Sequence, residues 1–199
     1  MKFKKTIIHI PRPNARESTG DKYNERSAIL DIIGGGHLGE IATDENGIYL
    51  VPAKLPDGGE RVLKVADLVD DGPNRVQVQN YLNIITKADD LDIIIALGMA
   101  KEGFDWEYCE HALTIGFRNS LTEVIQIIGR ATRDCKGKTH AQFTNLIAEP
   151  DATSEEAAYA VNNMLKAISV SLLMEQVLAP KVNFRIRGEV IGDEDGDYE

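Results

Sequence analysis

The chain has 199 residues, of which 43% are hydrophobic and 27% are charged, and its formal net charge is −10 at pH 7. This composition is ordinary for a globular domain, and no apolar run reaches the roughly 18 residues needed to cross a membrane. Two cysteines cannot form a disulfide framework, and the four scattered histidines lack metal-ligand spacing, so we predict no metal site. No signal-peptide core follows the basic amino terminus, which favours a cytoplasmic protein.

Much of the negative charge lies at the carboxyl terminus. Residues 189–199 contain six acidic residues and no basic one, in a Gly-rich segment with few apolar residues. Such a composition predicts a disordered tail. The rest of the chain is much closer to neutral, so the total charge does not exclude a nucleic-acid partner.

Strand and helix patterns alternate along the chain. Short β-branched runs predict buried strands, and paired Asn-Gly and Asp-Gly-Gly turns predict an antiparallel excursion at about residues 40–65. The alternation after residue 92 predicts an α/β domain with a mainly parallel sheet. The predicted elements are a strand at Thr6–Ile10, helices at Tyr23–Ile33 and Asn74–Lys87, strands at Asp92–Leu97, Ala112–Phe117 and Ala141–Ile147, and a long helix at Thr153–Leu178.

The long carboxyl-terminal helix has an apolar stripe on one side. Val161, Leu165, Ile168 and Leu172 recur at helical spacing, and Pro180 ends the pattern. A stripe of this kind needs a partner surface. We expect the helix either to cover the sheet or to dock on a neighbouring domain.

A segment with the spacing QxxGRxxR, between two of the predicted strands, is the most informative part of the sequence. At 100° per residue, Gln126, Arg130 and Arg133 fall on one helix face, opposite a group of apolar residues. Paired guanidinium groups suit phosphate oxygens, although such pairs are also common on ordinary solvated faces. Gly129 costs the helix about 1 kcal/mol relative to alanine. That cost is best explained if another molecule must approach the backbone beside the arginines.

A second segment, with the sequence EGFD, follows the predicted strand Asp92–Leu97. Loops at the carboxyl end of such a strand commonly bind ligands in open α/β sheets. Gly103 allows a tight turn, and Asp105 is an acceptor suited to a ribose hydroxyl or an arginine. Alone, this pattern is more typical of a simple turn followed by a helix cap.

Together the two segments resemble the second RecA-like domain of superfamily 2 DEAD/DEAH-type helicases, in particular the branch containing the type III restriction subunits (Res). Leu97–Asp105 matches the fifth helicase motif, Gln126–Arg133 matches the sixth, and Lys5–Arg12 resembles the fourth. The resemblance implies a RecA-like three-layer α/β fold with a mainly parallel sheet, an antiparallel insertion and a carboxyl-terminal helical extension. The implied boundaries are 1–150 for the RecA-like domain with its insertion at about 40–65, 151–182 for the helical extension, and 183–199 for the tail.

The resemblance also implies catalytic roles. Arg133 corresponds to the arginine finger that reaches the γ-phosphate of ATP, and Arg130 contacts the same phosphates. Gln126 orients the nucleotide and the attacking water. Arginine fingers of this kind contribute about 10³ to 10⁵ in rate in phosphoryl-transfer enzymes.

Further residues are implied to bind nucleotide or nucleic acid. The sequence departs from the family pattern at two points. Trp106 stands where relatives often carry proline after the motif aspartate, and Leu97–Met99 stands where polar residues often precede the motif glycine. Both departures concern the details of nucleic-acid contact. The implied nucleotide-binding residues are Gly103, Asp105 and Gly129, and the implied nucleic-acid-binding residues are Arg12, Ala100 and Lys101.

The part of the motor that holds ATP is missing from the sequence. No GxxxxGK[ST] pattern occurs, since Lys136–Thr139 supplies only its last letters, and no DExx box ends a strand. Such elements cradle the phosphates and Mg²⁺. We therefore predict the carboxyl-terminal motor domain of a larger helicase or translocase, in which an N-terminal RecA-like domain of the same protein holds ATP and Mg²⁺. DNA is favoured over RNA, and no membrane partner is expected.

Two consequences follow for the chain alone. We expect no bound ATP or Mg²⁺ and no ATP hydrolysis by the isolated chain. The alternative is a standalone nucleic-acid- or protein-binding regulatory module with a helicase-like fold and no motor activity. A small-molecule phosphate enzyme is disfavoured because the sequence shows no catalytic base.

Overall fold

The computed structural model is an α/β domain built on one seven-stranded sheet. It describes residues 4–15, 18–36, 41–54, 58–97, 106–116, 120–147 and 154–178. The strands are β1 (Thr6–Ile10), β2 (Ala42–Thr43), β3 (Tyr49–Lys54), β4 (Glu60–Leu68), β5 (Ile93–Leu97), β6 (His111–Ile115) and β7 (Gln142–Leu146). The helices are α1 (Lys22–Ile33), α2 (Pro73–Leu82), α3 (Leu121–Thr132) and α4 (Ser154–Leu178).

The sheet is mainly parallel, with antiparallel strands along one side. The strand order is β2-β3-β4-β5-β1-β6-β7, with parallel pairing from β4 to β7 and antiparallel pairing among β2, β3 and β4. β4 pairs with β3 on one side and with β5 on the other, so the antiparallel excursion extends the main sheet. The predicted fold class is confirmed, and the arrangement is consistent with a RecA-like fold.

Two apolar clusters cover the two faces of the sheet. One contains Val78 and Leu82 of α2 together with Ile127 and Ala131 of α3. The other contains Leu30 of α1 and the opposite faces of the same central strands. Helices on both faces give the three layers that the sequence predicted.

Helix boundaries follow the sequence in α1 but not in α2. Asp21 caps α1 by accepting hydrogen bonds from the backbone amides of Tyr23 and Asn24, and the helix stops at Gly34 as predicted. The prediction that the second helix extends to Lys87 was wrong. The helix ends at Leu82 with Asn83 as its carboxyl cap, a residue that favours turns over helix interiors because its side chain competes for backbone hydrogen bonds.

α4 packs on α3. Ile168 joins the apolar cluster formed by Val124 and Ile128 of α3. Val161 and Leu165, which the sequence placed in the same stripe, are 44% and 56% exposed. No helix in the described ranges has the length and apolar character that crossing a membrane requires.

A buried ion cluster joins the amino ends of the central strands. The ammonium group of Lys5 lies 2.8 Å from a carboxylate oxygen of Asp92, and both side chains are less than 5% exposed. Arg61 approaches the same oxygen at 2.6 Å, and the amide of Lys64 donates to the other oxygen at 3.0 Å. Asp92 therefore ties the starts of β1, β4 and β5 together.

Replacing Asp92 tests this role. Asp92→Ala leaves the buried Lys5 without its closest counterion, and we expect the free energy of unfolding to fall by about 3–5 kcal/mol. Asp89, 3.6 Å from the same ammonium group but 93% exposed, is the matched control, and Asp89→Ala should change stability by less than about 0.5 kcal/mol. Urea unfolding followed by the fluorescence of the single tryptophan measures both. Equal effects of the two substitutions would contradict the assignment.

Candidate nucleotide and nucleic-acid site

The rotation of α3 is fixed by its buried side. Ser120 begins the helix by accepting a hydrogen bond from the backbone amide of Glu123 at 3.3 Å. The side that the sequence predicted to be apolar is at least 93% buried, and its residues are Val124, Ile127, Ile128 and Ala131. Gln126 on the other side is exposed, and Arg130 is half-buried.

Arg133 lies just beyond the helix. α3 ends at Thr132, and Arg133 is its carboxyl cap, with an extended backbone (φ −56°, ψ 138°) and an exposed side chain. The helix therefore ends one residue before Arg133, and the helical φ of Arg133 keeps its Cβ close to the position that helical periodicity gives. The ammonium group of Lys138 donates a hydrogen bond to the Arg133 carbonyl at 2.6 Å. A cation in this position also stabilises the negative end of the helix dipole.

Gly129 faces open space. Among the described residues, a methyl group added at its Cα position would meet no atom within 4 Å apart from the helix itself. No contact in that part of the chain therefore requires glycine at position 129. The described structure leaves room beside Gly129 for the approach of another molecule.

The absence of contacts at Gly129 predicts an unusual outcome for Gly129→Ala. Alanine is the better helix former and meets no obstacle, so the isolated chain should gain about 0.5–1 kcal/mol in stability. Gly137 is the matched control, since it also has open space around it but has φ +88°, where alanine is strained. Gly137→Ala should cost about 1 kcal/mol. Thermal unfolding compares the two, and a loss of stability in Gly129→Ala would contradict the geometry.

The arginine end of α3 lies toward the amino ends of the strands. The helix starts after the carboxyl end of β6 and runs back along the sheet, so Arg130 lies near Cys109, just before β6. Burial raises the pKa of the Cys109 thiol to about 11, and the charges of Lys138 and Arg130 oppose that rise. Cys109 is therefore an inert core residue. The segment that contains Cys109 is held against the start of β1, because the amides of Glu110 and His111 both donate to the Lys5 carbonyl.

Leu97 and Trp106 flank the segment that contains the predicted EGFD motif. Leu97 ends β5 at the carboxyl edge of the sheet, and Trp106 is 3% exposed. Trp106 belongs to the same core cluster as Ile127 of α3. Four predicted site residues lie outside the described residues, namely Ala100, Lys101, Gly103 and Asp105.

Arg12 occupies the carboxyl edge. It follows Ile10 of β1, which pairs with Leu97 of β5, so Arg12 is close to the point where the EGFD loop begins. Its side chain is exposed, and its carbonyl accepts a hydrogen bond from the amide of Ala15 at 2.8 Å, which forms a turn. Of the predicted residues, Arg12 is thus at one edge of the sheet, while Gln126, Gly129, Arg130 and Arg133 follow α3 toward the other.

The sequence pattern did not indicate that Lys138 contacts the end of α3. Gly137 forms a turn that returns Lys138 to this helix end. The usable signal was a glycine followed by lysine a few residues after a predicted helix end, because cations favour that position.

Comparison with known proteins relates the chain to a helicase. No protein-family model matches it. A stretch of 184 residues, 92% of the chain, is 60% identical to part of a Bacillus subtilis (strain 168) protein named "Putative ATP-dependent helicase YeeB". The chain spans 30% of the length of that relative. The similarity therefore supports a helicase-related domain, and most of YeeB lies outside the matched region.

Proposed function

We propose that this chain is the second RecA-like motor domain of an ATP-dependent nucleic-acid helicase or translocase of superfamily 2. In this proposal Arg133 is the arginine finger, Arg130 contacts the same phosphates, and Gln126 orients the attacking water. ATP and Mg²⁺ are held mainly by another RecA-like domain of a longer polypeptide. The isolated chain binds and hydrolyses no ATP.

The open surface beside Gly129 is the observation that carries this proposal. A glycine lies in the middle of a helix where no neighbouring atom of the described residues requires it, and it precedes Arg130 directly. A nucleotide held by a second domain would explain both features, because its phosphates need close approach and guanidinium donors. The similarity to YeeB, which is more than three times as long as the match, supports the presence of such a domain.

We propose that the segment between Leu97 and Trp106 links the nucleotide site to the nucleic-acid site. Strands of five residues separate the two edges of the sheet by about 15 Å. Arg12, with Ala100 and Lys101, is proposed to contact the nucleic-acid backbone where the loop begins. Gly103 and Asp105 are proposed to line the nucleotide site where the loop ends beside Trp106. One short connection would then respond to both ligands.

A chimera in which this chain replaces the matched region of YeeB provides the test. In the chimera, Arg133→Ala should reduce nucleic-acid-stimulated ATP hydrolysis by about 10³-fold or more while nucleotide affinity changes little, because a finger acts mainly in the transition state. Lys54→Ala, an exposed cation at the end of β3, is the control and should leave turnover unchanged. Unchanged turnover in Arg133→Ala would remove the finger assignment.

The same chimera distinguishes the motor-domain hypothesis from the alternative of a standalone binding module. If the chain were only a binding module, ATP hydrolysis by the chimera would be insensitive to both Arg130→Ala and Arg133→Ala, while nucleic-acid binding persisted.

The resemblance to type III restriction subunits favours DNA as the substrate. Stimulation of turnover by duplex DNA and by RNA of equal length, compared side by side, decides between the two.

A further inference from the structure

Glu25, in the first turn of α1, holds the residues that precede this helix. One of its carboxylate oxygens, Oε1, accepts hydrogen bonds from the Ser18 hydroxyl at 2.6 Å and from the Thr19 amide at 2.7 Å. The Thr19 hydroxyl donates to the same oxygen at 3.2 Å. Hydrogen bonds to an ionised oxygen are stronger than bonds between neutral groups. Glu25 therefore fixes the part of the β1–α1 connection that lies nearest to the helix.

Backbone hydrogen bonds continue from Ser18 back to Arg12. The Ser18 amide donates to the Ala15 carbonyl at 3.1 Å, and the Ala15 amide donates to the Arg12 carbonyl at 2.8 Å. Arg12 is thus joined by two backbone bonds to a residue that Glu25 holds directly. A loss of the Glu25 contacts is therefore transmitted to the backbone at Arg12.

Glu25 itself is held by the sheet through its neighbour Arg26. The guanidinium group of Arg26 donates to a carboxylate oxygen of Asp67 at 2.9 Å, and Asp67 is the next-to-last residue of β4 and 5% exposed. The other oxygen of Asp67 accepts a hydrogen bond from the Val69 amide at 2.7 Å. A side chain is positioned precisely when its support is locked by further contacts of this kind. The start of α1 is therefore a rigid base for the Glu25 carboxylate.

The charge of Glu25 is unfavourable for nucleic-acid binding at this edge of the sheet. α1 begins after the carboxyl end of β1, so Glu25 lies at the same edge as Arg12. Proteins gain affinity for nucleic acid by neutralising its phosphates with cations. Glu25 has the opposite sign and is only half-buried. Loss of its charge and loss of its hydrogen bonds therefore have opposite expected effects on affinity.

We propose that Glu25 is a positioning residue for nucleic-acid binding, because it holds Ser18 and Thr19 and thereby keeps Arg12 in place to contact the phosphate backbone. This role rests on the proposed contact between Arg12 and nucleic acid. It adds that a negatively charged side chain increases affinity for a negatively charged ligand. The gain comes from preorganisation, since a connection that is already ordered loses less conformational freedom on binding.

Two substitutions at position 25 remove the same charge but differ in hydrogen bonding. Glu25→Gln keeps an oxygen that accepts from Ser18 and Thr19, whereas Glu25→Ala has no acceptor. In the chimera, we expect Glu25→Ala to raise the dissociation constant about 5- to 10-fold and Glu25→Gln to change it less than about twofold. Fluorescence anisotropy with a short labelled DNA duplex, and with labelled RNA of the same length, measures both. Thermal unfolding and ATP hydrolysis without nucleic acid show that each variant is folded.

A double-mutant cycle shows whether Glu25 acts through Arg12. If it does, Glu25→Ala should have little further effect in an Arg12→Ala background, because the contact that it supports is already lost. Additive effects of the two substitutions would overturn the positioning role. Unchanged or tighter binding in Glu25→Ala, or equal losses in Glu25→Ala and Glu25→Gln, would also overturn it.

The single variants separate this role from the function on which it rests. If Arg12→Ala weakens binding and Glu25→Ala does not, only the positioning role fails. If Arg12→Ala leaves binding of both labelled nucleic acids unchanged, the proposed Arg12 contact itself fails, and the positioning role fails with it.

Discussion

The packing of α3 between the sheet and α4 is the constraint on which the rest of the site depends. One side of the helix is buried against the strands and against Ile168 of α4. This burial leaves no freedom of rotation, so the side with Gly129 and Arg130 must face away from the core. The buried Trp106 ties the end of the neighbouring loop to the same core. Apolar burial thus positions polar groups that contribute little to stability themselves.

Periodicity and turn chemistry were sufficient to predict most of the fold. The alternation of apolar runs located the central strands, and glycine signals located the end of α1 and the antiparallel strands. These features are local, because they depend on which side chains of each segment are buried in the core and which are exposed to water. The buried face of α3 was predicted for the same reason, and its four apolar residues are buried as expected.

Features that depend on contacts distant in sequence or on single residues were not predictable. The end of α2 coincides with Asn83, and at the end of α3 Lys138 donates a hydrogen bond to the Arg133 carbonyl. The apolar pattern of α4 indicated two possible partners, the sheet or another domain, and did not indicate the contact with α3 that the structure shows. Residues such as Asp105 stay predictions from family resemblance. A sequence pattern indicates which residues share a face, but not what lies opposite that face.

We propose that Arg133 acts across a domain boundary on a nucleotide held elsewhere. A crystal structure of the chimera with ADP, Mg²⁺ and aluminium fluoride, which stands in for the transferred γ-phosphate, tests this directly. We expect guanidinium nitrogens of Arg130 and Arg133 within about 3 Å of the fluoride or phosphate oxygen atoms, with the nucleotide passing over Gly129. A nucleotide bound in the transition-state geometry with both arginines turned to solvent would contradict it.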